Sequence, residues 1–113
     1  MKKLMLVAVF AFFSAFALAQ TTHSVSLTWS DTLNPSGTTY TVYRATGLCS
    51  GTPTFSKLAV GVSTKSYQDT TVTPGNYCYQ VTATVNGVES SPSNSVQPPV
   101  PAFVPSGLAF SVQ

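Results

Sequence analysis

The stretch Tyr77-Cys78-Tyr79-Gln80-Val81-Thr82-Ala83-Thr84-Val85, followed by Asn86-Gly87, decides how this chain folds. Its bulky and apolar residues alternate at a period of two, the pattern of a strand with one buried face. Tyr77, Tyr79, Val81 and Ala83 then point into a core, and Cys78 points away from it. Asn-Gly is the favoured dipeptide of a two-residue hairpin, so the chain reverses at 86–87 and Glu89 to Val96 returns as the next strand. Upstream, Val25-Ser26-Leu27-Thr28-Trp29 alternates in the same way and puts Val25, Leu27 and Trp29 on one face. Asn34-Pro35-Ser36-Gly37 is a turn, and Tyr40-Thr41-Val42-Tyr43-Arg44 is a strand with Tyr40 and Val42 inward. Phe55 to Val60 gives a short edge strand and Ser66-Tyr67-Gln68 another, before Val72-Thr73-Pro74-Gly75 turns into the central run. Strands near every ten residues, with no sustained helical period beyond the N-terminus, predict an all-β sandwich.

The N-terminus is a different kind of sequence. Lys2 and Lys3 precede an uncharged apolar run from Leu4 to Leu18 that closes on Ala17-Leu18-Ala19. A basic start, a short apolar stretch and small residues at −3 and −1 make a secretory signal peptide over 1–19, with Gln20 as the mature N-terminus. About 15 apolar residues are few for a ~30 Å hydrocarbon core, so no membrane attachment is expected after cleavage. The product is expected outside the cell, on its surface or in a periplasm.

Cleavage also changes the charge. The whole chain of 113 residues carries a formal +2, but Lys2 and Lys3 leave with the leader. Arg44, Lys57 and Lys65 remain against Asp31, Asp69 and Glu89, so 3 − 3 = 0. A neutral, sparsely charged surface has no electrostatic footprint for nucleic acid or anionic lipid. Cys49 and Cys78, an even pair in an oxidising compartment, read as one disulfide. Closing a loop of about 30 residues contributes roughly 3–4 kcal/mol in the entropic account.

No catalytic constellation is legible. His23 is the single histidine, and no Ser/His/Asp order, paired acids or phosphate loop surrounds it. Two thiols and one histidine are too few for structural zinc. No enzymatic activity, cofactor or metal is expected. Asp31, Asp69 and Glu89 sit at turns and read as structural residues. Tyr43 and Arg44 read as outer-face residues that pack on the sheet rather than stack against sugar.

Taken in order, Val25-x-Leu27-x-Trp29, Tyr40-x-Val42-x-Arg44, Tyr67-x-Asp69, Pro74-Gly75 and Tyr77-x-Tyr79-x-Val81-x-Ala83 resemble a fibronectin type III domain. The closing Glu89-Ser90-Ser91-Pro92-Ser93-Asn94 resembles it too, and the likeness covers residues 24 to 96. The resemblance implies an immunoglobulin-like sandwich with family strands B at Trp29, C at Tyr40, C′ at Phe55, E at Tyr67, F at Tyr77 and G near Val96. It implies a core of Val25, Leu27, Trp29, Tyr40, Val42, Tyr67, Tyr77, Tyr79, Val81 and Ala83, with Tyr77 as the corner tyrosine. A Cys49–Cys78 bridge would then lie on the outer face of strand F, as an addition to the family pattern.

One departure from that pattern bears on function. The family opens with a strand A, and only Gln20 to Ser24 stand before Val25 in the mature chain. The chain therefore divides into a leader (1–19), a sandwich lacking strand A (20–97), and a Pro-rich linker with a strand A-like tail (98–113). In that tail Pro105-Ser106-Gly107-Leu108-Ala109-Phe110-Ser111-Val112 resembles the missing strand, with Leu108, Phe110 and Val112 on its apolar face. Two non-catalytic functions follow. The chain is a structural or adhesive subunit that associates head to tail by donating this strand, or it is a monomeric extracellular binding or spacer module whose tail completes its own domain or stays disordered. The partners expected are further copies of the chain or another extracellular protein.

Overall fold

Two antiparallel sheets face each other across a core made by the alternating runs. The computed structural model describes residues 4–12 and 21–112, so the expected cleavage site Ala17-Leu18-Ala19, the expected mature terminus Gln20, and Lys2 and Lys3 lie outside the described residues. The first sheet has the order β1 (Met5–Phe12), β2 (His23–Ser30), β5 (Ser66–Val72). The second has the order β4 (Ser56–Val62), β3 (Thr39–Thr46), β6 (Gly75–Val85), β7 (Val88–Glu89), and β8 (Pro99–Val100) also pairs with β6. All pairings are antiparallel.

Period-two alternation delivers the core directly. Val25, Leu27 and Trp29 of β2 meet Tyr40 and Val42 of β3 and Tyr79, Val81 and Ala83 of β6 across the sandwich. Tyr67 and Tyr77 are half-buried against that cluster. Trp29 packs edge-on against Tyr40, with ring centroids 5.4 Å apart. Asn86 and Gly87 both hold positive φ, 50° and 77°, the geometry that a two-residue hairpin between right-twisted strands requires.

Cys49 and Cys78 are bonded, with Cα atoms 5.1 Å apart and a sequence separation of 29. Cys78 lies on the outer side of β6 but is buried, because the bridge brings Cys49 over it. Tyr77 directs its hydroxyl to Thr73, whose amide donates to it at 3.3 Å across the β5–β6 turn. A Tyr77→Phe variant loses that contact at a solvent-accessible position, so we expect a loss of about 1 kcal/mol or less in denaturant unfolding.

Three expectations change. The return strand expected over Glu89 to Val96 pairs regularly only at Val88–Glu89, with one further bridge between Val96 and Tyr79. Between them Pro92 has no N–H to give, and serine hydroxyls replace strand carbonyls: Ala83 N–H donates to Ser90 Oγ and Val81 N–H to Ser93 Oγ, both at 2.9 Å. Arg44 is not an outer-face residue. It shares the inward face of β3 with Tyr40 and Val42, four and two residues before it, and reaches Asp69 at the end of the core. Finally, the strand A position, expected to stand empty before Val25, is filled by β1, whose residues belong to the expected leader.

Candidate strand-acceptor edge

β1 is held by three kinds of contact, and each belongs to the site rather than to the strand's own sequence. The first is the edge of β2 away from β5, which registers Leu6 against Trp29, Ala8 against Thr28, Val9 against Leu27 and Phe12 against Ser24. A bulge between Leu6 and Ala8 shifts the ladder by one residue. The second is the core itself, which takes up Leu4 and Leu6 at 2% and 3% exposure. The third is the side chain of Asn94, which accepts the Leu6 amide at 2.8 Å and donates to the Leu6 carbonyl at 3.2 Å.

The magnitudes make this edge consequential. Two fully buried leucines contribute about 1.5–3 kcal/mol each, against a total of roughly 5–15 kcal/mol for an ordinary domain. Without β1 the domain would lose a large fraction of its stability and expose the unpaired backbone of β2. An edge of that kind is a template for another strand.

At the opposite pole the chain's other end is anchored. Pro99–Val100 pairs with Asn76 and Gly75 at the start of β6, and Val100 joins the core. Phe103 then stacks on His23 at the start of β2, centroids 4.2 Å apart and planes 15° from parallel. His23, expected near a loose terminus, is therefore buried; neither its burial nor the docking of Val100 has a short-range sequence signal. Beyond Phe103 the tail leaves the domain, with Leu108 99% exposed, Phe110 88% and Val112 83%.

The ionisable groups are committed to structure. Asp69, 1% exposed, receives Arg44 at 2.8 Å, the Tyr79 hydroxyl at 2.7 Å, and both the hydroxyl and the amide of Thr71. Burial pushes its carboxyl up, but the hydrogen bonds from Thr71 and Tyr79 and the Arg44 guanidinium outweigh it, and it sits below the ordinary carboxylate range. The Tyr79 hydroxyl is driven up by burial and by Asp69. Asp31 closes the turn after β2, accepting from the amides of Leu33 and Asn34 and from the Tyr40 hydroxyl. Burial and Asp31 push Tyr40 up to about 12. Glu89 accepts from Thr82 and Tyr43 and is lowered by those bonds. Tyr43 is thereby tied to the outer sheet face. Among the described residues no group of three or more His, Cys, Asp or Glu is placed to hold a metal ion. The three side-chain carboxylates Asp31, Asp69 and Glu89 are thus each engaged by hydroxyl donors of neighbouring strands.

No protein-family model and no curated protein matches the chain. Solved structures do. The chain is similar to an Fn3-like protein from Clostridium thermocellum at 27% identity and a TM-score of 0.59, over 88% of this chain and 94% of that one. It is also similar in fold to two human fibronectin type III domains, at 17% and 14% identity and a TM-score of 0.66 in both cases. Those alignments cover 96% and 98% of this chain and 85% of each domain.

Proposed function

We propose that this chain, which has the fold of a fibronectin type III domain, is in its exported form a non-catalytic structural subunit that associates head to tail by strand donation. In this reading the leader is removed after Ala19 and takes β1 with it. The edge of β2 and the places of Leu4 and Leu6 open, and the C-terminal tail of another copy fills them. The observation that carries the reading is that the segment completing the sandwich is the segment a signal peptidase would remove. The exposed tail carries a second apolar segment of the same Leu-x-apolar spacing, Leu108-Ala109-Phe110 against Leu4-Met5-Leu6.

Geometry favours a neighbour over self-completion. The tail is pinned at Phe103, beside His23, whereas an antiparallel strand in β1's place must start beside Ser30. His23 to Ser30 is seven steps of extended chain, about 23 Å. Phe103 to Leu108 is five steps, at most about 17 Å. The tail of the same molecule falls short while Phe103 stays stacked. A copy whose Ser30 pole abuts this His23 pole needs no such detour, and the contact repeats without closing. The mature chain's formal charge of zero opposes stacking little.

Deleting Pro105 to Gln113 from the leaderless chain should give a soluble, less stable monomer. Adding that segment as a peptide should restore the stability. If the deletion leaves the assembly state unchanged, strand donation is wrong. A monomer whose full-length tail resists protease would instead favour the self-completing spacer module.

A further inference from the structure

We propose that the two ends of the sandwich form a second contact between copies of this chain, the Ser30 pole of one resting on the His23 pole of the next beside the donated strand. This inference rests on the donation reading and adds the surface that holds a whole donor domain more firmly than its tail alone.

The placement of exposed apolar side chains points to these ends. Single exposed apolar residues are ordinary on any surface, so where they stand matters more than that they exist. Among the described residues between the expected leader and Pro105, the large ones are Leu33, Leu48, Val60, Val88 and Val104. Leu33 lies in the turn that follows Ser30. Val88 pairs with Val85, next to Thr84, which lies opposite Thr39 at the start of β3, so it belongs to the same pole. Leu48 follows Gly47, whose amide donates to the Asn76 carbonyl at 2.8 Å, and Asn76 pairs with Pro99 where the tail departs. The neighbouring Cys49 amide donates to Gln97 Oε1 at 2.8 Å and ties this loop to the tail's exit. Val104 follows Phe103, the residue stacked on His23. Four of these five thus stand at the poles, two at each, while Val60 lies on a flank, on β4.

Free charge is missing from the same places. The segments 47–54, 73–74 and 97–104 at the His23 pole contain no charged residue. At the Ser30 pole Lys65 donates to the Asp31 carbonyl at 2.8 Å, and the Asp31 carboxylate is taken by the amides of its own turn and by Tyr40. Setting these ends together therefore strips water from no bare charge, and interface cores are depleted of charged residues for that reason.

The length of the tail brings the poles together. Phe103 stays at the His23 pole of the donor, and a tail strand in the place of β1 starts with Leu108 beside Ser30 of the next copy. Five steps of chain separate those points, at most about 17 Å, and Pro105 stiffens the span. The turn 31–38 of one copy and the loop 47–54 of the other share that narrow space. A contact made there is intramolecular once the strand is seated, so even a weak one adds to the affinity of the donor.

Val88 and Leu48 lie on neither β2 nor the tail, so changing them leaves the donated strand and its groove intact. Val60 is exposed as they are and serves as the matched control. Val88→Glu, Leu48→Glu and Val60→Glu are each introduced into the leaderless chain, and the concentration at which it assembles is read by sedimentation velocity. We expect Val88→Glu and Leu48→Glu each to raise that concentration about tenfold, as a charge pressed against an apolar surface would. Val60→Glu should change it by less than about twofold, and the milder Val88→Thr should raise it about threefold. Each variant should unfold at the urea concentration of the unmutated protein when β1 is kept, since each changed side chain is exposed. Should a glutamate variant unfold earlier, Val88→Thr carries the comparison. Assembly unchanged by the two pole substitutions, or weakened as much by Val60→Glu, overturns the pole contact and leaves donation standing. An unmutated leaderless chain that stays monomeric overturns strand donation itself.

Discussion

Replacing Asp69 with alanine should destabilise the domain by about 3–5 kcal/mol, the cost of removing one partner of a buried, hydrogen-bonded ion pair. Asp69 lies on β5 in one sheet, while Arg44 and Tyr79 come from β3 and β6 in the other, so the carboxylate ties the sheets together. Alanine leaves the Tyr79 hydroxyl buried without its acceptor and Arg44 without its counter-charge. Asparagine keeps the shape and one acceptor and should cost less. Urea unfolding of the three proteins at pH 7 measures the difference; an Asp69→Ala midpoint equal to wild type would mean the two sheets do not depend on this contact.

The same group predicts a pH dependence of known sign. Asp69 and Asp31 sit below their ordinary value of 3.8 in the folded chain. A carboxyl depressed on folding contributes stability that is complete above its unfolded pKa and is lost as pH falls through the folded one. Stability should therefore hold down to about pH 4 and decline below it. Asp69→Asn should flatten that decline.

The second large effect is at Trp29. Its ring is buried between β2 and β3 and packs on Tyr40, and truncating such a residue to alanine costs about 3–5 kcal/mol. For a domain of this size that lowers Tm by roughly 12 °C or more. A shift of a degree or two would place the indole outside the core. Trp29→Phe keeps most of the apolar surface and should lose markedly less.

Strand positions and inward faces were legible because alternation is a local signal. Val25, Leu27, Trp29, Tyr79 and Val81 need only their neighbours' polarity to be placed, and the turn at Asn86-Gly87 needs only φ. Arg44 obeys the same rule against the outward placement its charge suggests: Tyr40, Val42 and Arg44 share a face. An inward arginine is tolerable here because Asp69, 25 residues away, waits at the end of the core. The return strand misled for a different reason. Ser90 and Ser93 satisfy β6 through hydroxyls, so the segment runs beside β6 without pairing as a strand.

The acceptor edge was half visible. The lack of a strand before Val25 and the apolar spacing of Leu108 and Phe110 are properties of short windows. That Leu4 and Leu6 fill the gap, that Asn94 grips Leu6 across 88 residues of sequence, and that Phe103 stacks on His23 are contacts no window contains. The apolar run expected of a leader and a buried strand share one composition, and in the structure the edge of β2 takes up that run as a strand.

Strand donation is tested most directly by sedimentation velocity on the leaderless chain at high protein concentration. The account predicts species much larger than a monomer, reverting to a monomer when Pro105 to Gln113 is deleted. A single monomeric boundary for the intact leaderless chain would contradict it.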